Sequence, residues 1–374
     1  MMTRNSGGYP AVHLNEEVMR EGMQIESADI SVADKVALLD LLSRTGLKSI
    51  VVGSFVSPRY TPQMAQIDEI VQRFTPVDGV RYTGLALNEK GRQRAAEFTP
   101  PLSPRGGVPT LNCHMCDTFA RRNTNSSQAD EIARWPRIVA AATASNAPEA
   151  GIALGAVWGS NFTGPVALTD SMAMLRRQYR MWCEAGIAVT SIALQDPMSW
   201  CMPHLVEQQL EAVLSEWPGI TRVHLHLHNA RGMALPSIYA ALRTLDATHT
   251  LSLDTTAGGI GGCPYCGNGR ATGMAATEDV VSMLEAMGID TGVDLDRLIE
   301  VVWKLERILG RPTPGCVAHA GPRPGPDELY DPNLPFVETH DEARHFRLGP
   351  SVVEHQLRPW KQPIPHPSKS RSKD

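Results

Sequence analysis

The 374-residue sequence predicts an α/β protein: a closed (β/α)8 barrel of the TIM type with an irregular C-terminal extension. Three observations predict it. Strand-like and helix-like segments alternate about eight times between residues 11 and 309, as parallel βα units do. No GxGxxG follows the first strand, which argues against an open dinucleotide-binding sheet. Residues 221–235, TRVHLHLHNARGMAL, set a period-two strand with three histidines on one face directly before a helical pattern. Barrels of this kind carry their chemistry where strands end and βα loops begin.

The elements follow in order. Residues 1–10 read as a loose leader, and Ala11 to Glu17 as a first strand. Arg20 to Glu26 is a charged loop around Gly22. Ser31 to Arg44 is a helix, with Ser31 as cap, Val32, Val36, Leu39 and Leu42 on one face, and Gly46 as stop. Lys48 to Ser54 is a buried strand, 54–64 a loop with two prolines, and Ala65 to Phe74 a helix. A strand at Val80–Leu87, a helix at Gly91–Phe98 and a Pro/Gly-rich external loop at 99–107 come next. Thr110–Met115 is a strand, Asp117–Asn125 a basic turn, and Ser127 opens one helix to about Ala144. Ala150–Trp158 and Val189–Leu194 are strands, with helices at Met172–Ala185 and Leu205–Ser215. After the histidine strand and its helix, Thr250–Asp254 is the last strand. A glycine-rich loop, 257–269, precedes helices at Glu278–Met287 and Leu295–Leu309. The catalytic barrel domain is therefore 11–309. Residues 310–374 lose periodicity and read as a C-terminal arm with a disordered tip.

Composition narrows the function. Hydrophobic content of 42% and charged content of 20% fit a globular enzyme. A net charge of −5 offers no basic footprint for nucleic acid or an anionic membrane. No apolar run approaches the roughly 20 residues of a membrane span, and MMTRNSGGYP lacks a signal-peptide core. Seven cysteines make an odd, sparse set, which argues against a disulfide framework and for a reducing, cytoplasmic setting.

Five constellations carry candidate chemistry. Glu21 can meet His226 and His228 across a barrel mouth, and such mixed oxygen and nitrogen donors suit Mg²⁺, Mn²⁺ or Zn²⁺. The plain alternatives are a surface carboxylate paired with Arg20, and histidines bonded to backbone. Arg20 beside a metal can hold an enolate or carboxylate, or else serve a structural ion pair. Cys263 lies in a loop able to close as a lid, where a thiol can act as acid or base. Cys263 and Cys266 form a CxxC, and with Cys113 and Cys116 they formally allow a Cys₄ zinc site. Asp196, just past a strand end, suits proton transfer or a helix cap. Arg121, Arg122 and Asn123 can hold a phosphate or carboxylate, or form a solvated charge run.

Taken together, RExxQ at 20–24, SFVSPRYTPQM at 54–64, DTFARRNTN at 117–125, HLHNARGMAL at 226–235, GGIGGCPY at 258–265 and ATEDVVSMLEAMGIDTGVDL at 276–295 resemble the 3-hydroxy-3-methylglutaryl-CoA lyases of the DRE-TIM metallolyase superfamily. The resemblance spans about residues 11–309. It implies a TIM barrel holding a divalent cation (Mg²⁺ or Mn²⁺, alternatively Zn²⁺). It implies retro-Claisen cleavage of a 3-hydroxyacyl-CoA to acetyl-CoA and a ketone or oxoacid. In this reading Glu21, His226, His228 and Asn268 bind metal, and Arg20, Asp196 and Cys263 are catalytic. Gln24, Arg121, Arg122 and Asn123 contact substrate, and the enzyme is a homodimer.

The departures cluster on the same site. The resembled lyases have Asp at Glu21, Glu at Val51, Asn at Met274, and Asp-Thr at Asn229-Ala230. Asn268, in a loop about two residues longer, is the candidate replacement for the missing oxygen ligand. The departures point to a changed substrate or chemistry more than to a damaged copy of the standard lyase. The alternatives are an aldolase or Claisen-type acyl-CoA synthase, which shares the HxH motif, and a non-catalytic barrel with a degenerate site.

Overall fold

The computed structural model describes residues 8–329 apart from 60, 87–88, 105 and 267–272. Chain order begins β1 (Ala11–Glu16), α1 (Val32–Leu42), β2 (Ser49–Ser54), α2 (Ile67–Arg73), β3 (Arg81–Leu85), α3 (Glu89–Ala96) and β4 (Thr110–His114). It continues α4 (Asp117–Thr124), α5 (Gln128–Ala133), α6 (Trp135–Ala144), β5 (Glu149–Gly155), then a small hairpin of β6 (Gly159–Ser160) and β7 (Gly164–Pro165). The second half is α7 (Leu168–Glu184), β8 (Ala188–Asp196), α8 (Pro203–Glu216), β9 (Arg222–Leu227), α9 (Ala234–Thr244) and β10 (Thr250–Thr255). Helices α10 (Thr277–Ala286), α11 (Leu295–Leu309) and α12 (Val317–Ala320) complete the described chain.

Eight parallel strands form one sheet in the order β3-β2-β1-β10-β9-β8-β5-β4. This is the cyclic order of a (β/α)8 TIM barrel, with β1 hydrogen-bonded to β10 and the sheet curled on itself. Among the described residues no ladder joins β3 to β4, so the expected closure carries a seam there.

The strand that carries the histidines turns its apolar face outward, to the helices. On β9, Val223, Leu225 and Leu227 are buried, while Arg222, His224 and His226 face the lumen half-buried. Helix α7 is pinned to β5 by polar side chains as well as packing. Gln178 bonds both the N–H and the C=O of Ala153, and Trp182 Nε1 donates to Gly151 O at 2.9 Å. Burying these groups is tolerable because each finds its partner. Helix α11 matches its expected bounds: Asp294 accepts from Arg297 N at 3.1 Å, and Gly310 closes the helix in a left-handed conformation at φ 66°.

Three expectations need correction. Asp117–Asn125 is not a turn but the short helix α4, capped by Cys116 and closed by Asn125 at φ 53°. The single helix expected from Ser127 to Ala144 is two, meeting at Arg134 just before Pro136. The loop at 99–107 is not wholly external, since Leu102 is buried. The early part of the expected arm packs back on the barrel. Trp303 Nε1 donates to Ala318 O at 2.9 Å, and Asp279 accepts the Cys316 and Val317 N–H groups. The leader's first seven residues and the arm beyond residue 329, on which the dimer and the disordered tip rested, lie outside the described residues. No described helix is long and apolar enough to cross a membrane.

Candidate active site

The site lies where β1, β9 and β10 end. Strand register sets it up: Asn15 stands opposite Asp254, and Asp254 opposite His226, so the three share one inward-facing row. One row lower, His13, Ser252 and His224 repeat the arrangement. Asp254 Oδ2 accepts from His226 Nδ1 and from His224 Nε2, each at 2.9 Å, while Asn15 Nδ2 donates to Oδ1 at 2.9 Å. Burial alone would raise the Asp254 carboxyl, but the two imidazoles outweigh it and hold it well below the usual carboxylate range. With Nδ1 committed to Asp254, His226 turns its Nε2 lone pair toward the barrel mouth.

Strand β9 stops at Leu227, and His228 follows in a short bridge to Met274. Its Nε2 stands 3.2 Å from His226 Nε2 and 3.6 Å from Glu21 Oε1. Glu21 comes from a single wide turn, Val18–Gly22, directly after β1. Donor atoms of Glu21, His226 and His228 all lie within 4.8 Å of one another, and no other such group of three occurs among the described residues. The arrangement fits a cation. Two nitrogens bound at right angles, each about 2.1 Å from one ion, stand about 3 Å apart. Neither Glu21 nor His228 is open to much water, at 3% and 1% exposure. The four-cysteine alternative gains no support, although Cys116, Cys263 and Cys266 pack in one small cluster. All seven cysteines are free.

Arg20 sits between two acids. Its Nε lies 2.9 Å from Glu17 Oε2, and its Nη1 pairs with Glu21. Glu17, which the motifs did not single out, is buried, and burial raises its carboxyl against the pull of Arg20. Glu16 next to it is also unread in the sequence. It is fully buried, and one oxygen accepts from Val18 N at 2.8 Å and Ala257 N at 2.9 Å. The other accepts the Thr277 hydroxyl at 2.5 Å. Glu16 thereby ties the turn bearing Arg20 and Glu21 to the glycine-rich loop. Burial raises its pKa to about 7, and burial likewise raises Glu278, which accepts from Gly258 N at 2.9 Å, to about 8.

The loop packs closely on the turn: Gly261, at φ 124° where side chains are strained, would set a Cβ 3.1 Å from the Glu21 carbonyl oxygen. Gln24 Nε2 donates to Gly262 O at 3.3 Å, and Arg122 Nε to Tyr265 O at 2.9 Å. Both residues expected to touch substrate thus hold the loop. Cys263 is half-buried on it. A hydrogen bond from the Cys266 thiol outweighs burial, and with the nearby Arg20 and Arg122 charges it lowers the Cys263 thiol below its ordinary range.

Of the remaining expected residues, Asp196 adjoins the metal trio through the backbone, its carbonyl accepting from His228 N at 3.2 Å. Asp196 is fully buried, and its oxygens accept from Trp200 N at 2.9 Å and Cys201 N at 2.7 Å, holding the turn after β8. Burial raises its carboxyl. Arg121 pairs with Asp117 at 2.6 Å on the surface of α4, and Asn123 is half-buried on the same helix. Asn229 accepts from Ala234 N at 3.0 Å and caps α9. Asn268 lies outside the described residues.

The HMGL-like family pattern matches residues 11–303. The hydroxymethylglutaryl-CoA lyase of Gallus gallus mitochondria is 33% identical over 305 residues, covering 81% of this chain and 95% of that protein. A Pseudomonas aeruginosa protein, 3-hydroxy-3-isohexenylglutaryl-CoA/hydroxymethylglutaryl-CoA lyase, is 34% identical over 302 residues, covering 80% and 93%. Among solved structures, an HMG-CoA lyase from Acinetobacter baumannii in complex with coenzyme A and 3-methylmalate superposes with a TM-score of 0.67 at 29% identity. That match covers 89% of this chain and all of the other.

Proposed function

The chain belongs to the HMGL-like family and is a lyase, and from that premise we propose that it cleaves a 3-hydroxyacyl-CoA between C2 and C3 with the help of a divalent cation. The products are acetyl-CoA and a ketone or oxoacid. The observation that carries this reading is the convergence of Glu21, His226 and His228 donor atoms within 4.8 Å, beside Arg20, at the mouth of the barrel. Coenzyme A with a small hydroxy-diacid in the Acinetobacter relative supports an acyl-CoA substrate.

Glu21, His226 and His228 would hold the ion; their carboxylate and imidazole donors accept Mg²⁺, Mn²⁺ or Zn²⁺, and a further amide oxygen would tilt the set toward Mg²⁺ or Mn²⁺. When bound, the cation lowers the pKa of the substrate hydroxyl and polarises it for proton loss. Asp196 would accept that proton, the C2–C3 bond would break, its electron pair would pass to the thioester as an enolate, and C3 would become a carbonyl. The Arg20 guanidinium, next to the trio, stabilises the enolate oxygen. The Cys263 thiol, brought near by the loop, delivers a proton to the enolate carbon, and its lowered pKa makes the transfer easier. The turn after β8, whose N–H groups engage the Asp196 oxygens, would hold that carboxyl in place for proton transfer.

Asn268 is proposed as a further oxygen ligand, in place of the asparagine that the resembled lyases carry at Met274. Asn268→Ala should then weaken Mn²⁺ binding about tenfold or more, with Met274→Ala near neutral. Equal effects, or none at Asn268, contradict that assignment. The activity itself is tested by incubating Mg²⁺-loaded protein with 3-hydroxy-3-methylglutaryl-CoA, citramalyl-CoA and esters with bulkier C3 substituents. Release of acetyl-CoA from at least one ester supports the reading, and silence with metal bound turns it toward the condensing direction.

A further inference from the structure

The barrel lumen below the metal trio is hollow. A cavity of about 1110 Å³ begins at Arg20 and Glu17, runs down β1, β2 and β3 inside the barrel, and continues through the seam beside β3 against α3 and the loop at 99–106. TIM-barrel interiors are ordinarily filled with layers of bulky branched side chains. Here the inward positions hold small or polar residues instead, among them Asn15, Ser49, Thr83 and Ser252. The space exceeds the ~300–1,000 Å³ of a pocket for a whole small molecule, and far exceeds what a methyl substituent fills.

Its walls change along its length. Val51 and Leu85 make the upper wall apolar, and Leu102, whose neighbour Ser103 donates to the Tyr82 carbonyl, adds an apolar side chain lower down. At the far end stand Lys48 and Arg81, both exposed. Neither has a carboxylate partner among the described residues, whereas Arg92 is engaged by Glu89 at 2.7 Å. The one acid on the wall, Glu17, is taken by Arg20. Arg81 precedes Leu85 by four residues on β3, which puts the cationic end about 13 Å below the mouth. A tube apolar at first and cationic at the end fits a chain with an anionic terminus.

Building on the lyase reading above, we propose that this lumen receives the substrate arm opposite the thioester, and that the arm is a long chain ending in a carboxylate. Val51 then opens the neck of the tube, since the glutamate of the resembled lyases would set a charge against the chain. Thr83, paired with Val51 in register, is the position where bulk would plug it.

The test uses the full chain loaded with Mg²⁺ and titrates in, by calorimetry, straight-chain monocarboxylic and α,ω-dicarboxylic acids of graded length. Long diacids are expected to bind at least tenfold tighter than monoacids of equal length. Arg81→Gln, an exposed change that leaves packing intact, should remove that gap, and Thr83→Trp should abolish long-chain binding while cleavage of 3-hydroxy-3-methylglutaryl-CoA persists. No diacid preference, or a preference unchanged in both variants, overturns the proposal. A wild type that cleaves the short ester but shows no such preference refutes the lumenal site and leaves the lyase reading standing. Diacid binding as expected without cleavage of any acyl-CoA supports the site and refutes the lyase reading beneath it.

Discussion

The His226 imidazole has two nitrogens and two tasks, and Asp254 decides which does which. By accepting from Nδ1 at 2.9 Å, Asp254 fixes the ring's tautomer and aim, leaving Nε2 for a cation. Asp254→Asn should therefore weaken Mn²⁺ binding ~10–100-fold in a calorimetric titration, while the folded protein stays intact. Unchanged affinity would mean that the ring is aimed by something else. The histidines were legible in the sequence because alternation sets them on one face. Asp254 was not, because only the register of β9 against β10 brings it opposite His226. Glu17 and Glu16 were hidden for a related reason. Before their burial is seen, two acids at the end of a strand look like its solvated edge.

At the level of elements, the turn that carries Arg20 and Glu21 and the glycine-rich loop are joined through buried carboxyls. Glu16 and Glu278 titrate near 7 and 8 in the folded protein because burial disfavours their charge. In the unfolded chain each loses its proton near 4.5. The folded state therefore binds the extra protons between these values, and their contribution to stability is complete below pH 4.5 and falls as pH rises to about 8. Each group contributes a slope of at most about 1.4 kcal/mol per pH unit. Glu278→Gln keeps the neutral form, so in denaturant unfolding its stability should gain on the wild type steadily from pH 5 to pH 8. Parallel profiles would contradict this. Helix α11 was readable at both ends because Asp294 and Gly310 mark them. Helix α4 was not, because Phe119 and Ala120 are the only apolar residues in its eight and give no periodicity.

For the whole molecule, alternation of strand and helix was enough to give the (β/α)8 order, because parallel strands need crossovers and helices supply them. The hollow lumen and the seam beside β3 were not readable, because a strand's pattern shows that its faces differ without showing which one meets the helices. On β9 the apolar face meets them. Leu225→Ala, between β9 and the helices, should cost about 2–5 kcal/mol in unfolding free energy, whereas Thr83→Val, facing the lumen, should change it by less than about 1 kcal/mol. Equal costs would mean that the lumen is packed. If a cation held by Glu21, His226 and His228 is needed for carbon–carbon cleavage, acetyl-CoA release must follow its presence. That release is measured with the best ester of the panel before chelation, after chelation, and after Mg²⁺ or Mn²⁺ is restored. Loss on chelation and recovery on restoration, both absent in His226→Ala, is the predicted result. An unchanged rate in the fully chelated protein would contradict it.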